Sequence, residues 1–242
     1  MKKGLSLFLI FSGIILFLYP TLSELCIDYQ QEKLIGEWEK IDVVEAEAAK
    51  EAFSKEDVNE SLEKLNEVFS MNGESQVAEA SEIDQTDTDT AGNAGKNNQE
   101  SSSIKGTNTE QDGVLGVIEI DKIHVRLPIL YGASARNLDL ASGLLSGTSL
   151  PGMAGNSAIA AHRSRTYGRM FNRLDEIGAG DIVTVKDKKG TYKYQVYDTL
   201  VVEPKDVSVL NSSQDEKTLT LITCTPIDTA THRLIVKAKM VP

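Results

Sequence analysis

The sequence is poor in cysteine and has no surplus of positive charge. It has 242 residues but only 2 Cys, at positions 26 and 224. Two cysteines do not make the paired framework of a disulfide-stapled domain. A bridge between them would tie a segment beside the N-terminal apolar run to a strand near the other end of the chain. The formal net charge of −11 argues against a nucleic-acid partner, which needs a basic footprint. The acidity is local. Residues 1–112 hold 9 Lys/Arg against 23 Asp/Glu, a net of −14, whereas residues 113–242 hold 16 against 13, a net of +3. Internal repeats are absent. Asp84, Asp87 and Asp89 lack the glycine and terminal glutamate of a calcium-binding loop, so they read as part of a solvated acidic linker.

One long apolar run is present. After Lys2 and Lys3 it continues from Gly4 to Tyr19, and no charge interrupts it before Glu24. It reaches the lower edge of a spanning helix, about 17–25 residues, if Pro20–Ser23 serve as its flank. No good small-x-small cleavage site follows. Residues 1–23 are therefore expected to be an uncleaved signal-anchor, with the lysines cytoplasmic and the rest of the chain outside. A cleaved signal peptide is the alternative. Residues 24–72 are rich in Glu, Lys, Ala and Leu, with Val58, Leu62, Leu65 and Val68 at helical spacing. Their heptads are not sustained, which predicts a solvated helical stalk rather than a coiled coil. Residues 73–112 are dominated by small polar and acidic residues and are expected to be a disordered tether.

From Gly113 the composition changes. Short apolar runs alternate with turn residues at Val114–Ile120, His124–Leu130, Ser157–Ala161, Asp181–Lys186, Thr191–Val202, Thr218–Cys224 and Arg233–Val241. Strands at this spacing predict an all-β sandwich or barrel over residues 113–242. Tyr167–Ile177 reads as a helix with Met170, Phe171, Leu174 and Ile177 on one face, and Asn137–Gly143 as a shorter helical turn.

The candidate chemistry lies near the end of the chain. The run Thr218–Cys224 is a strand that ends at a cysteine, followed by the loop Thr225–Ala230 and a second strand beginning near Arg233. A short loop makes these strands antiparallel neighbours, so Cys224 and Arg233 are expected to face each other at the mouth of a barrel. A guanidinium there would favour the thiolate, which is the nucleophilic form, and could donate to an oxyanion. Proton transfer calls for a histidine. His162 ends a strand of small residues and is the first candidate, and His232 the second. His124 alternates with apolar residues and reads as a solvent-facing strand histidine. The competing reading is a buried, inert cysteine and a solvated arginine.

Thr220-Leu221-Ile222-Thr223-Cys224 with Arg233 a short loop later resembles the active-site segment of sortases, and Ala161-His162-Arg163 resembles their histidine segment. Ser146–Gly152, the strand Gly116–Ile120 and the segment Ile123–Ile129 are similar to that family too. The resemblance covers most of residues 113–242 and none of residues 1–112. It implies an eight-stranded β-barrel with one or two short helices. It implies a transpeptidase in which Cys224 attacks a Thr–Gly-like bond of an LPxTG-type sorting signal and forms a thioester. His162 would move the protons, Arg233 would hold substrate and oxyanion, and Thr223 would assist at the substrate. No cofactor or metal is implied. The partners implied are secreted proteins with C-terminal sorting signals, and a peptidoglycan precursor or a pilin lysine as amine acceptor. Phe171–Asp175, Cys224-Thr225-Pro226 and Thr231-His232-Arg233 resemble the pilin-polymerising class C. The absence of an Asp-Pro-aromatic lid motif before the barrel, and of a second apolar anchor after Pro242, resembles class D or a housekeeping enzyme. A hydrolytic cysteine peptidase on the same scaffold and a non-catalytic surface barrel are the alternatives.

Overall fold

The computed structural model describes residues 13, 22, 24–40, 55–74, 113–211, 213 and 215–242. Among them, two long helical segments precede a barrel. Helix α1 comprises residues 24–40 and helix α2 is Lys55–Glu74. The barrel strands are β1 (Val114–Ile120), β2 (Val125–Tyr131), β3 (Ser142–Leu144), β4 (Gly155–Ala160), β5 (Ile182–Asp187), β6 (Thr191–Val202), β7 (Lys217–Thr225) and β8 (His232–Val241), with helix α3 (Ala135–Leu140) between β2 and β3. They close in the order β1-β2-β3-β4-β7-β8-β6-β5. Closure removes exposed sheet edges. Only β2/β3 and β4/β7 pair in parallel; the other neighbours are antiparallel.

Side chains alternate across each strand, and here both faces of one wall are buried. Ile159, Leu219, Leu221, Leu234 and Val236 join Ile118, Ile129, Phe171, Val185 and Tyr194 in the inner core. Ala158, Ala160, Ile222, Cys224 and Ile235 face outward from the same wall into a second cluster with Leu62, Leu65 and Phe69 of α2. This explains why every residue of β4 is buried. Its small residues let β3 and β7 approach and let α2 seat. The side chain at Gly116 must be hydrogen, because a Cβ there would lie 2.3 Å from the Lys186 carbonyl oxygen of β5.

Three expectations change. The chain at Tyr167–Ile177 is not a helix. It forms turns, a β-bridge between Arg163 and Met170, and a single 3-10 turn at Leu174–Glu176, with Met170 at φ 48°. Met170, Phe171, Leu174 and Ile177 are nonetheless buried in the inner core. Helical spacing captured which side chains go inside but not the backbone that takes them there. Residues 24–40 and 55–74 are helical, yet they do not stand as solvated helices: Ile35, Leu62, Leu65 and Phe69 are buried. On α2 the buried side chains recur at i, i+3 and i+7, and burying each contributes about 1.5–3 kcal/mol. On α1, Asp28 pairs with Arg169 at 2.8 Å, Glu32 and Glu39 pair with Arg126, and Gln31 donates to the Leu140 carbonyl at 2.7 Å. Finally, β3 has no counterpart among the expected strands. It is three residues long, too short to show alternation.

Among the described residues no helix is long and apolar enough to cross a membrane. The expected anchor at 1–23 lies outside the described residues except for Gly13 and Leu22, and the expected tether at 73–112 lies outside them except for its first two residues.

The inner core is built from residues of 118–238 alone. Residues 113–242 are therefore expected to fold without the preceding segments, giving a β-type circular dichroism spectrum and a cooperative thermal transition. An unfolded spectrum for that fragment would show that α2 is required for the barrel itself.

Candidate active site

The register of β7 and β8 decides the site. Cys224 pairs directly with Arg233 across the antiparallel ladder. Leu219, Leu221 and Thr223 alternate inward, so Ile222 and Cys224 face outward. The pair thus lies on the outer face of the barrel wall, near the end of β7, rather than in the barrel's open mouth. Antiparallel neighbours that face each other lie about 5 Å apart at Cβ, which holds a permanent cation beside the sulfur.

His162 follows β4, which runs parallel to β7. Its position is fixed from both sides. The Ala161 amide donates to the Ile222 carbonyl at 3.2 Å, and the His162 carbonyl accepts from the Phe171 amide at 3.1 Å. His162 and Cys224 line one cavity of about 290 Å³, together with Arg163, Asp228 and Phe69. Thr223 is not at that cavity. Its side chain is completely buried and its hydroxyl donates to the Ala161 carbonyl at 2.8 Å. The expectation that Thr223 touches substrate gives way to a tie between the strand bearing the cysteine and the strand leading to the histidine. The physical reason is the period of two, which turns residue 223 inward when residue 224 faces out. His232 is half-exposed, 3.6 Å from Glu203. His124 is exposed but sits in a left-handed turn at φ 55°, not in a strand.

Helix α2 covers the pair. Phe69 packs on the His162 ring with centroids 5.3 Å apart, and the Arg233 guanidinium lies 5.1 Å over the same Phe69 ring. Asn66, one turn earlier, accepts from Arg233 Nε at 3.1 Å and donates to the Pro204 carbonyl at 2.7 Å. Arg233 Nη1 donates to the carbonyls of Ala230 and His232. Arg233 is only 3% exposed and Cys224 7%. Burial therefore dominates the acid–base state. It pushes the Cys224 thiol up to about 11, against the downward pull of Arg233 and Arg163. It pulls His162 below the usual imidazole value, opposed by Asp139, whose carboxylate is 3.6 Å from His162 Nε2. With α2 seated, the pair rests at neutral pH as a thiol and an uncharged imidazole. The adjacent guanidinium acts in the expected direction, toward the thiolate, but desolvation acts the other way and is the larger effect.

Phe69, Asn66, Asp139 and Arg163 were not singled out from sequence as parts of this site. For Phe69 the available signal was the apolar stripe of α2, which a helix of any partner could carry. Arg163 stood in sequence only as part of the segment Ala161-His162-Arg163, with no role of its own, and Asn66 and Asp139 carry no local signal, since their roles depend on which elements become neighbours. Both cysteines are free thiols, and Cys26 is exposed. Among the described residues no group of His, Cys, Asp and Glu could hold a metal ion.

Comparison with known proteins bears on the same residues. The family profile described as a sortase domain matches residues 118–241, more than half of the chain. Sortase A of Listeria monocytogenes is 29% identical over 133 residues, 54% of this chain and 59% of that protein. Sortase C-1 of Actinomyces oris superimposes with a TM-score of 0.52 at 38% identity, covering 55% of this chain and 76% of that one. The Clostridium perfringens sortase D5 transpeptidase gives a TM-score of 0.50 at 33% identity, covering 54% and 80%. The match spans less than two thirds of the length of the Listeria monocytogenes sortase A, of a sortase A of Streptococcus agalactiae and of sortase D of Bacillus subtilis. The profile match takes in His162 and the Cys224–Arg233 ladder, and on that ground the chain belongs to the sortase family.

Proposed function

We propose that this protein is a cysteine transpeptidase that joins secreted proteins to an amine acceptor at the outer face of a bacterial membrane. The observation that carries the reading is the direct pairing of Cys224 with Arg233 across β7 and β8, with His162 lining the same cavity. Family membership supports it. The apolar run Gly4–Tyr19 supports a membrane-proximal location, with residues 1–23 as anchor and the barrel outside.

The chemistry follows from the resting state. As the Cys224 sulfur attacks the carbonyl carbon of an LPxTG-like sorting signal, its proton passes to His162 and Arg233 stabilises the oxyanion. Collapse of the tetrahedral species breaks the C–N bond. The leaving amine takes the proton from His162, and a thioester remains. An acceptor amine, from a peptidoglycan precursor or a pilin lysine, then attacks the thioester carbonyl and gives its proton through His162 back to the sulfur. The thiol is regenerated. This is two-step covalent catalysis with one proton shuttle and no cofactor.

Substrate entry requires α2 to leave. Asn66 occupies Arg233 Nε, and Phe69 covers both Arg233 and His162. Departure would admit water, lower the desolvation cost on the sulfur and let the two nearby guanidinium groups draw the thiol pKa down.

Cys224→Ala and His162→Ala are each expected to reduce transfer of a sorting-signal peptide to an added amine by at least about 10²-fold, with the circular dichroism spectrum unchanged. Retained transfer in either folded variant removes that residue from its role. If the wild type releases peptide at the same rate with and without amine, and forms no amine adduct, the protein is a hydrolase instead. The double variant Asn66→Ala, Phe69→Ala is expected to bring the midpoint of Cys224 alkylation down from about 11 toward the ordinary thiol range, about 8.5. An unchanged midpoint would mean that α2 does not set the state of the thiol.

A further inference from the structure

An arginine one residue past a strand-end histidine would ordinarily be a solvated charge. Arg163 is not. Its side chain is only 11% exposed, and three of its nitrogens are engaged at once. Nε donates to the Asn172 carbonyl at 3.2 Å, Nη2 pairs with the Asp175 carboxylate at 2.7 Å, and Nη1 donates to the Thr225 hydroxyl at 3.0 Å. Thr225 is the residue directly after Cys224, and Arg163 lines the cavity that contains the sulfur.

The frame around Arg163 is itself tied down. The Arg163–Met170 β-bridge closes the loop after His162, and Asn172 Nδ2 donates to the Ser164 carbonyl at 2.6 Å. A planar guanidinium held on three sides cannot swing away to solvent, as a lysine or an unpaired arginine would. The cation near the end of β7 is therefore a built feature of the loop between β4 and β5.

We propose that Arg163 is a positioning residue for the nucleophile: it clamps Thr225, and with it the end of β7 that carries Cys224, and holds a second positive charge beside the sulfur. Arg233 acts from β8, and Arg163 from the loop beyond β4. The sulfur is thus approached by cations from two of its neighbouring segments. The other charged groups at the cavity are Arg165 and Asp228, which pair with each other at 3.4 Å, and His162, uncharged in the covered state. Helix α2 brings Leu65, Asn66 and Phe69, none of which titrates. Arg163 pulls the thiol pKa in the same direction as Arg233. The proposal rests on reading Cys224 as the nucleophile. Its test reads the thiol rather than turnover, so it can fail while that reading stands.

The experiment is the pH dependence of Cys224 alkylation by iodoacetamide, in the full chain carrying Cys26→Ser so that one thiol reports. Arg163→Gln is expected to raise the midpoint by about one unit, which slows alkylation at pH 8 by about tenfold. Arg163→Lys keeps the charge but not the three-sided fork, and is expected to restore only part of that midpoint. Thr225→Val breaks only the Nη1 contact and is expected to shift the midpoint in the same direction as Arg163→Gln, by less. It decides the matter if Arg163→Gln does not fold. A purely structural arginine would leave the midpoint where it is in every folded variant. That result, in Arg163→Gln or failing that in Thr225→Val, overturns the proposal.

Discussion

The arrangement depends on one register. Along the β7–β8 ladder residue 224 meets residue 233, and strand alternation turns both toward the outer face of the barrel wall. A slip of one residue would send the cysteine inward, into the place Thr223 occupies, and would present the threonine in its stead. The register is held by the inner core, since Leu219, Leu221, Leu234 and Val236 all have to point inside. The apolar packing of the barrel and the placement of the Cys224–Arg233 pair are thus the same constraint seen from two faces.

Parallel pairing of β4 with β7 extends this to the histidine. The Ala161 amide and carbonyl are both taken by β7, one by the Ile222 carbonyl and the other by the Thr223 hydroxyl. The residue that follows therefore emerges beside the cysteine. His162, distant in sequence, meets the Cys224–Arg233 pair because each is pinned within a residue or two by hydrogen bonds between neighbouring strands. Loops supply what remains: Asp139 from α3 toward the imidazole and Arg163 from the turn beyond β4.

Helix α2 sets the condition of this site. It seats apolar side chains on the outer face of the wall and places Asn66 on the guanidinium. Two opposing effects then act on the sulfur. Guanidinium charges favour the thiolate and burial opposes it, and with the helix in place burial is the larger. Solvent access, more than the charged neighbours, thus sets the state of the sulfur while the helix is in place.

Much of the barrel was legible in the sequence. β1 and β6 match the expected bounds, and β2, β4, β5, β7 and β8 differ from them by a residue or two, because alternation and turn residues are local signals. The proximity of Cys224 to Arg233 was legible for the same reason, being the product of a short loop between two strands. What failed to show depended on distant partners. The segment Tyr167–Ile177 has helical spacing but spends its backbone hydrogen bonds on turns and a bridge to Arg163. The stripe Val58, Leu62, Leu65 and Val68 announced a helix without naming the surface it would cover. By itself, then, the sequence determined every barrel strand but β3, the cysteine–arginine pairing and the family. Only the tertiary structure decided that the pair lies under α2, that Thr223 turns inward and that desolvation keeps the thiol protonated, because burial and field are properties of what surrounds a residue in space and not of its neighbours along the chain.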